Sequence, residues 1–317
     1  MIALLFPGQG AQSPGFLHHL PQHAAVAATL AEASDVLGSD VLQLDSAASL
    51  QSTVAVQLSL LTAGVAVARA LQAEGVEPDF AAGLSIGAFA AAVICDALDF
   101  DAALRLVRQR AQLMEAAYPT GYGLAALVGL NELQVGALLE RVQSLHHESV
   151  YLANLNGARQ IVVAGSDAGL AHLMALAQQA GARRAERLAV SVPSHCELLA
   201  DAAQQLSTSA AALQFRRPRI PYIGNRRGRA LRSADAVRDD LVENLRYPVR
   251  WHDSMRLLAE LGVSLFIEAP PGQVLSGLLH EALPEVRALA MAQSDLPHAV
   301  SLARRYQADI TGPAPGA

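Results

Sequence analysis

Short apolar runs alternate with longer stretches of helical periodicity along most of the 317-residue chain. The short runs predict strands, at 2–6, 79–84, 123–129, 149–154, 160–165, 187–192, 219–223 and 264–268. The longer stretches predict helices, at 22–37, 51–73, 86–95, 99–117, 131–144, 167–181, 194–214, 234–245 and from Gln273 onward. Strands that alternate with helices in this way are typical of an α/β protein with a parallel sheet.

The middle of the chain has a different order of elements. Residues 122–192 predict strand, helix, strand, strand, helix and strand, which is the split βαβ order of a ferredoxin-like unit. The segments on either side continue the α/β pattern, so we interpret this unit as an insertion. The sequence therefore predicts a discontinuous large domain at 1–121 and 193–310, a small subdomain at 122–192 and a disordered tail at 311–317.

A G-x-S-x-G pentapeptide, Gly83-Leu-Ser-Ile-Gly87, lies between a predicted strand and an alanine-rich predicted helix. This placement is typical of a nucleophile elbow, in which a strained strand-to-helix turn exposes the serine oxygen. Glycines on both sides allow the strand and the helix to approach closely, because glycine has no Cβ. Ser85 is therefore a candidate nucleophile. The alternative is a packing serine between two glycines at a helix contact.

His195 is the candidate general base for this serine. It lies in Ser191-Val-Pro-Ser-His195-Cys, where a helix is predicted to begin directly after a strand. Proline and serine are favoured at a helix start, which would fix the chain beside the imidazole. The alternative is a histidine whose hydrogen bonds are satisfied without any part in catalysis.

Composition excludes several classes of function. All 23 basic residues are arginine, so Schiff-base chemistry and a P-loop lysine are excluded. A net charge of −6 argues against general nucleic-acid binding.

His19 and His23 have the spacing of a helical metal site, but Pro21 lies between them and no carboxylate or cysteine joins them. No metal site is predicted.

The same reasoning predicts a cytoplasmic protein without a membrane partner. Cys95 and Cys196 are too few for a disulfide framework and suit a reducing compartment. The N-terminus has neither the basic region nor the cleavage site of a signal peptide. Residues 54–71 are the most apolar long stretch, but Gln57 and Arg69 interrupt them, which favours a buried helix over a membrane span.

Five motifs that occur in order resemble those of malonyl-CoA:acyl carrier protein transacylases. They are Phe6-Pro-Gly-Gln-Gly10, Gly83-Leu-Ser-Ile-Gly87, Arg108-Gln-Arg-Ala-Gln-Leu-Met114, Ser191-Val-Pro-Ser-His195 and Glu268-Ala-Pro-Pro-Gly-Gln-Val-Leu275. The resemblance covers about residues 2–280 and implies an α/β-hydrolase-like large domain with an inserted ferredoxin-like subdomain. It also implies malonyl-CoA as donor and a phosphopantetheine-type thiol on an acyl carrier protein as acceptor, with no cofactor bound by the chain itself.

The resemblance implies a role for each matching residue. Ser85 would attack the malonyl thioester, and His195 would take its proton and later activate the incoming thiol. The family orients this histidine with a backbone carbonyl, and the matching residue is Asn244. The oxyanion would be held by the backbone N–H of Ile86 and by an N–H near Gln9.

Arg110 would bind the free carboxylate of the malonyl group. A planar guanidinium meets a carboxylate through two parallel hydrogen bonds, which would select malonyl over acetyl. From the residues alone, Arg110 could equally be a surface arginine of the helix predicted at 99–117.

The chain departs from the usual family pattern at three positions. Leu84 stands where the transacylases of fatty acid synthesis usually have histidine, Ala88 where they have glutamate, and Pro270 where they have the first glycine of a G-P-G turn. The elbow, Gly83 to Phe89, looks most like the epsilon subunit of malonate decarboxylase, which transfers malonyl to a carrier subunit. An acyl carrier protein of fatty acid or polyketide synthesis is the alternative acceptor.

Two other classes of function remain open. A serine esterase or thioesterase would need an acid between the serine and the histidine in the chain, and Asp99, Asp101 and Asp167 are available. A non-catalytic subunit that only docks a carrier is the other alternative, although such a protein has no reason to keep Ser85 and His195 together.

One stretch concentrates positive charge despite the negative net charge of the chain. Its seven arginines, here called the arginine stretch, are Arg216, Arg217, Arg219, Arg226, Arg227, Arg229 and Arg232. Because carrier proteins are typically acidic, the stretch is predicted to dock the carrier near the mouth of the active site. The alternative is a solvated basic loop without a partner.

Overall fold

The computed structural model describes residues 1–118 and 120–308, so the predicted tail at 311–317 lies outside the described residues. The strands in the described part are β1 Ile2–Phe6, β2 Phe80–Gly83, β3 Tyr122–Val128, β4 Val150–Gly157, β5 Gln160–Ser166, β6 Arg184–Arg187, β7 Tyr222–Ile223, β8 Ala230–Leu231, β9 Leu265–Glu268 and β10 Arg287–Ala290. The helices are α1 Ala24–Leu37, α2 Thr53–Ala73, α3 Gly87–Ile94, α4 Phe100–Ala117, α5 Glu132–His146, α6 Asp167–Gln179, α7 Ala200–Ala210, α8 Ala234–Glu243, α9 Trp251–Glu260, α10 Val274–Ala282 and α11 Leu296–Ala308.

The larger sheet has the strand order β10-β9-β1-β2-β7-β8, and its strands are parallel except for β8. Strands β1, β2 and β9 are buried along their whole length, because helices cover both faces of the sheet. One face packs on a large core that includes α2, α3 and α4, and the other face packs on α9 and α10. The α/β fold predicted from the alternating pattern is confirmed.

The smaller sheet is antiparallel and has the order β4-β5-β3-β6. Helices α5 and α6 cover one of its faces, which gives the ferredoxin-like subdomain that the sequence predicted. The other face, which includes Ala153 and Val162, packs on Cys196, next to the candidate base. Strand β4 is also tied to the large domain, because Leu155 N–H donates to Val249 O at 2.8 Å and Val249 N–H donates to Ala153 O at 2.9 Å.

Two local predictions around residues 187–200 are wrong. The last strand of the small sheet is β6, and residues 188–192 that were predicted as strand are irregular. The Leu188 N–H still donates to the Leu124 carbonyl at 2.9 Å, but the next acceptor that a longer ladder would use, the Tyr122 carbonyl, accepts from the Arg187 guanidinium at 2.6 Å. No helix begins at His195 either: its φ of 65° is left-handed, and α7 begins only at Ala200, after a short 3₁₀ turn.

Helix α2 is long and apolar enough to cross a membrane, with 21 residues and a mean hydropathy of 1.7 over its most apolar window. In the fold, 89% of that window is buried, and the helix packs against α1, α3 and α4. It is therefore a core helix of the large domain, as its interrupted apolar sequence predicted.

Candidate active site

Ser85 occupies a sharp turn between β2 and α3. Its φ of 56° is left-handed, which is uncommon for a residue other than glycine and stores backbone strain at this position. A Cβ on Gly83 would collide with the Gly87 carbonyl, and a Cβ on Gly87 would collide with the Phe6 carbonyl. The two glycines are thus required by close backbone approach, and the turn has the geometry of a nucleophile elbow.

Two hydrogen bonds from a side chain that follows the neighbouring strand hold this turn in place. Asn225 follows β7, and its Oδ1 accepts from Ser85 N–H at 2.9 Å while its Nδ2 donates to Gly83 O at 2.8 Å. The buried Asp240 carboxylate fixes Asn225 in turn, because it accepts from the Asn225 N–H at 2.9 Å and from the Tyr222 hydroxyl at 2.8 Å. Neither residue was predicted, since a polar residue after a two-residue strand, or one acid among several in a helix, gives no signal of its own.

The structure brings His195 to the serine from the other side. Its Nε2 lies 2.8 Å from Ser85 Oγ, and its Nδ1 lies 2.6 Å from the Asn244 backbone oxygen. A carbonyl can only accept, so Nδ1 carries the proton and Nε2 is free to accept one from the serine hydroxyl. Burial, then the positive charge of Arg110, lowers the pKa of His195 from 6.5 to about 3, so the imidazole is neutral near neutral pH.

Arg110 is a fully buried guanidinium, and no carboxylate among the described residues pairs with it. It projects from α4 and donates to three neutral oxygens, those of Gln57 Oε1 at 2.6 Å, Asn244 Oδ1 at 3.2 Å and Ser85 Oγ at 3.3 Å. Its Nε–H has no acceptor among the described residues. Burial lowers the pKa of Arg110 from 12.5 to about 9, so it remains a cation near neutral pH. The surface-arginine alternative is therefore wrong.

The remaining predicted site residues lie around the same cleft, which has a volume of about 120 Å³. Ile86 precedes the first turn of α3, and Gln9 lies in the turn after β1; both line the cleft beside Ser85. Within the described part of the chain, the backbone N–H groups of Ile86 and Gln9 donate to no protein acceptor. Two free N–H groups beside a serine hydroxyl can hold a developing oxyanion.

The three aspartates predicted as possible members of an esterase triad do not lie beside His195. Asp99, Asp101 and Asp167 pair with the arginines at 216, 105 and 187 on the surface. Glu268 is buried, but its carboxylate accepts from the first N–H groups of α10. The ring nitrogen of His195 that would face an acid is occupied by the Asn244 carbonyl.

Three polar residues at the cleft were not predicted. Gln57 projects from the core helix α2 and bonds Arg110, while Asn154 and Asn156 line the cleft from β4. Gln57 interrupts the apolar stretch at 54–71, which was a usable signal for a functional role. The two asparagines carried no such signal, because only the docking of the small sheet against the large domain brings them to the serine.

An elbow serine, a neutral histidine on its hydroxyl and two free N–H groups define a serine-dependent acyl-transfer site. Residues 3–312 match the family model of the acyl transferase domain. The chain is 37% identical to the malonyl-CoA-acyl carrier protein transacylase of Escherichia coli O157:H7 (91% of this chain, 95% of that protein) and 35% identical to that of Bacillus subtilis strain 168 (93% and 94%). It therefore belongs to the acyl transferase family and is an acyltransferase.

Solved structures give the same result. The transacylase of Coxiella burnetii superimposes with a TM-score of 0.91 at 33% identity, covering 96% of this chain and 97% of that one. A malonyl-transacylase solved in complex with its type II polyketide-synthase acyl carrier protein gives a TM-score of 0.89 at 34% identity, covering 95% and 99%. The predicted resemblance is confirmed at the level of the family.

Proposed function

We propose that the chain transfers malonyl from malonyl-CoA, through an acyl-enzyme on Ser85, to the phosphopantetheine thiol of an acyl carrier protein. The observation that carries this proposal is Arg110, a buried cation 3.3 Å from the serine oxygen whose acceptors among the described residues are all neutral. A buried unpaired charge is costly, and an acyl group that ends in a carboxylate would remove that cost. The relatives named above, all of which act on malonyl, support the assignment.

In the proposed first half-reaction, His195 Nε2 takes the proton of Ser85 as Oγ attacks the thioester carbonyl. The Ile86 and Gln9 N–H groups hold the oxyanion until the CoA thiolate leaves and receives the proton from His195. In the second half-reaction the carrier thiol gives its proton to His195 and attacks the acyl-serine, which restores Ser85. One base therefore serves both half-reactions, with Asn244 O keeping its ring in the required tautomer.

Binding of the malonyl carboxylate would also change the basicity of His195. Arg110 is the second cause, after burial, of the lowered pKa of His195. A carboxylate bound to Arg110 would neutralise that charge and make His195 more basic in the complex. Malonyl would thus be favoured over acetyl both in binding and in activation of the serine.

We further propose the carrier subunit of malonate decarboxylase as the physiological acceptor and the cytoplasm as the location. Support for the carrier comes from the elbow alone, where Leu84 and Ala88 depart from the fatty-acid pattern. Cys95 and Cys196 are free and buried, which suits a reducing compartment. An acyl carrier protein of fatty acid or polyketide synthesis is the second candidate, and the relatives named above favour it.

The test follows free CoA during incubation with malonyl-CoA, without acceptor and with each of the two kinds of carrier. We expect a single burst without acceptor and continuous release with a carrier. Steady release without acceptor would identify a hydrolase. A higher kcat/KM with the carrier of fatty acid synthesis than with the malonate decarboxylase carrier would contradict the proposed acceptor and leave malonyl transfer intact.

A further inference from the structure

The turn that follows β1, residues 7–12, contains Gln9 and is here called the oxyanion turn. Within the described part of the chain it makes a single hydrogen bond, from Gly10 N–H to Gln12 Oε1 at 2.7 Å, and that bond is internal to the turn. Gln9 and Ala11 are half-buried, and Gly10 is exposed. The position of the Gln9 N–H beside Ser85 therefore depends on the groups that pack against the turn.

The nucleophile elbow supports one side of the oxyanion turn. A Cβ on Gly8 would lie 2.6 Å from Leu84 Cδ2 and 3.0 Å from Leu84 O. Leu84 directly precedes the serine, and its N–H donates to Phe6 O at 3.0 Å, where β1 ends. Close approach of two main chains thus fixes the side of the turn that lies next to Ser85.

The loop that follows β9, residues 269–274, supports the other side. Strand β9 is parallel to β1 with Glu268 in register with Leu5, and Ala269 N–H donates to Leu5 O at 2.8 Å, so the turns after the two strands lie side by side. A Cβ on Gly272 would lie only 3.2 Å from Ala11 O, and the φ of Gly272, 74°, is left-handed. The oxyanion turn therefore packs on this loop with almost no space between them.

Glu268 holds this loop closed. Its side chain is fully buried at the end of β9, and both carboxylate oxygens accept from the start of α10: Oε1 from Leu275 N–H at 2.9 Å and Oε2 from Ser276 N–H at 2.7 Å. A carboxylate is favoured there because the first N–H groups of a helix lack partners in the helix itself. Glu268 neither lines the catalytic cleft nor bonds Ser85, so it can act on the reaction only through the loop.

We propose that Glu268 is a positioning residue for the oxyanion. By closing the loop at 269–274, it keeps the oxyanion turn, and with it the Gln9 N–H, in place beside Ser85. The inference rests on the proposed function, in which the Gln9 and Ile86 N–H groups stabilise the tetrahedral intermediate. A displaced donor loses much of its effect, because such donors act only where the oxyanion forms. The Ile86 N–H belongs to the elbow and stays in place when the loop is loosened.

The test is single-turnover acylation by malonyl-CoA over a range of concentrations, with the extent of labelling measured by intact mass. Glu268→Ala removes both acceptors and should lower the acylation rate at saturation about ten- to hundredfold, because one of two oxyanion donors is displaced. Glu268→Gln retains one acceptor and should recover part of that rate. The half-saturating concentration of malonyl-CoA and the final extent of labelling should match the wild-type values in both variants.

Gly272→Ala tests the same contact with Glu268 intact, and it replaces the Glu268 variants if they do not fold. The added Cβ presses on Ala11 O, so the rate at saturation should fall here too. Asp79→Asn is the matched control, because the Asp79 carboxylate accepts from Ile2 N–H at 2.7 Å at the end of β1 remote from the site. This control should acylate at the wild-type rate at saturation.

Three results would overturn the positioning role. They are a wild-type rate at saturation in the variants, a loss confined to the half-saturating concentration, and a smaller extent of labelling at an unchanged rate, which would show loss of folded protein only. Each of them would leave malonyl transfer through Ser85 intact. A wild-type chain that forms no acyl-enzyme would overturn the proposed function and the positioning role together.

Discussion

Arg110 brings a full positive charge into a site where the acceptors that the described residues offer it are all neutral. A guanidinium in that position pays the cost of desolvation without an ion pair, and the lowered pKa of Arg110 reflects this cost. The same charge disfavours a second cation on His195. The selectivity and the basicity of the site therefore depend on one residue, and both can be tested by changing it.

Arg110→Ala should lose malonyl-CoA turnover while retaining, or gaining, acetyl-CoA turnover. Removing one partner of a buried charge pair costs about 2–5 kcal/mol, so malonyl kcat/KM should fall by at least about thirtyfold. Acetyl leaves the wild-type guanidinium unpaired, a penalty that the alanine variant lacks. Steady-state kinetics with both donors measure the effect. Equal losses of kcat/KM with malonyl-CoA and acetyl-CoA would show that Arg110 has a structural role instead.

The pH dependence of acylation should show a neutral His195 in the free protein. Because burial and Arg110 lower its pKa to about 3, malonyl-CoA kcat/KM should stay level as pH falls from about 8 to 5. A histidine with its ordinary pKa would lose activity below about 6.5. In Arg110→Ala the acid limb should move to higher pH, since one of the two lowering causes is gone. A wild-type limb near pH 6.5 would contradict this description of the base.

At the scale of elements, the site depends on how β2, β7 and α8 are joined behind the serine. The Asn225 side chain spans the elbow, and Asp240 on α8 fixes Asn225. Neither residue touches the reacting atoms, so their effect on catalysis is through the position of Ser85. A misplacement of the serine by a fraction of an ångström is enough to slow attack.

Asn225→Ala should slow serine acylation at least about tenfold and lower the free energy of unfolding by about 1–3 kcal/mol, because it leaves Ser85 N–H and Gly83 O without their buried partners. Asn225→Asp keeps the acceptor for Ser85 N–H and should recover part of the rate. Single-turnover acylation and chemical denaturation measure the two effects. Normal acylation by the alanine variant would show that Asn225 does not position Ser85 for catalysis.

Elements with a strong local pattern could be predicted from the sequence, whereas those set by tertiary contacts could not. Helix α2 and strand β1 follow from periodicity, and the elbow follows from two glycines at fixed spacing. Strand β10 and helices α9 and α11 were not predicted, since their patterns are short and mixed with charge. Ser85 and His195 were found by motif, but Asn225 and Asn156 reach the site only through the packing of distant elements.

At the scale of the whole molecule, the arginine stretch has two parts: Arg216 and Arg219 form ion pairs, and the other five arginines form none with the described residues. Arg216 and Arg219 pair with surface acids, and the negative charge of these acids largely cancels the attraction that the two arginines would exert on an acidic carrier. Arg226, Arg227 and Arg229 line a cleft of about 300 Å³ together with Asp239 and Asp240, and Arg226 directly follows Asn225, which bonds the elbow. The predicted carrier-docking surface is therefore limited to the second half of the arginine stretch, from Arg226 to Arg232.

Reversing Arg226 and Arg227 to glutamate should raise the apparent KM for the carrier and leave acylation from malonyl-CoA nearly unchanged. Arg227→Glu alone is the cleaner variant, because the Arg226 guanidinium lies over the Tyr247 ring, 3.6 Å from its centroid, and its charge lowers the pKa of the buried Asp240. The effect should weaken with salt as the Debye length falls to about 8 Å at physiological ionic strength. Arg141→Glu, an exposed change on α5, is the control. Normal transfer by both reversed variants at low salt would exclude this surface.

Intact-mass measurement after brief mixing with malonyl-CoA tests the central claim of a malonyl-serine intermediate most directly. The wild-type chain should gain one malonyl group and lose it when a carrier thiol is added. Ser85→Ala, which removes the attacking oxygen, should remain unlabelled while its thermal unfolding is unchanged. Labelling of the Ser85→Ala variant to the wild-type level, or a wild-type adduct that water discharges as fast as the carrier thiol does, would contradict transfer through Ser85.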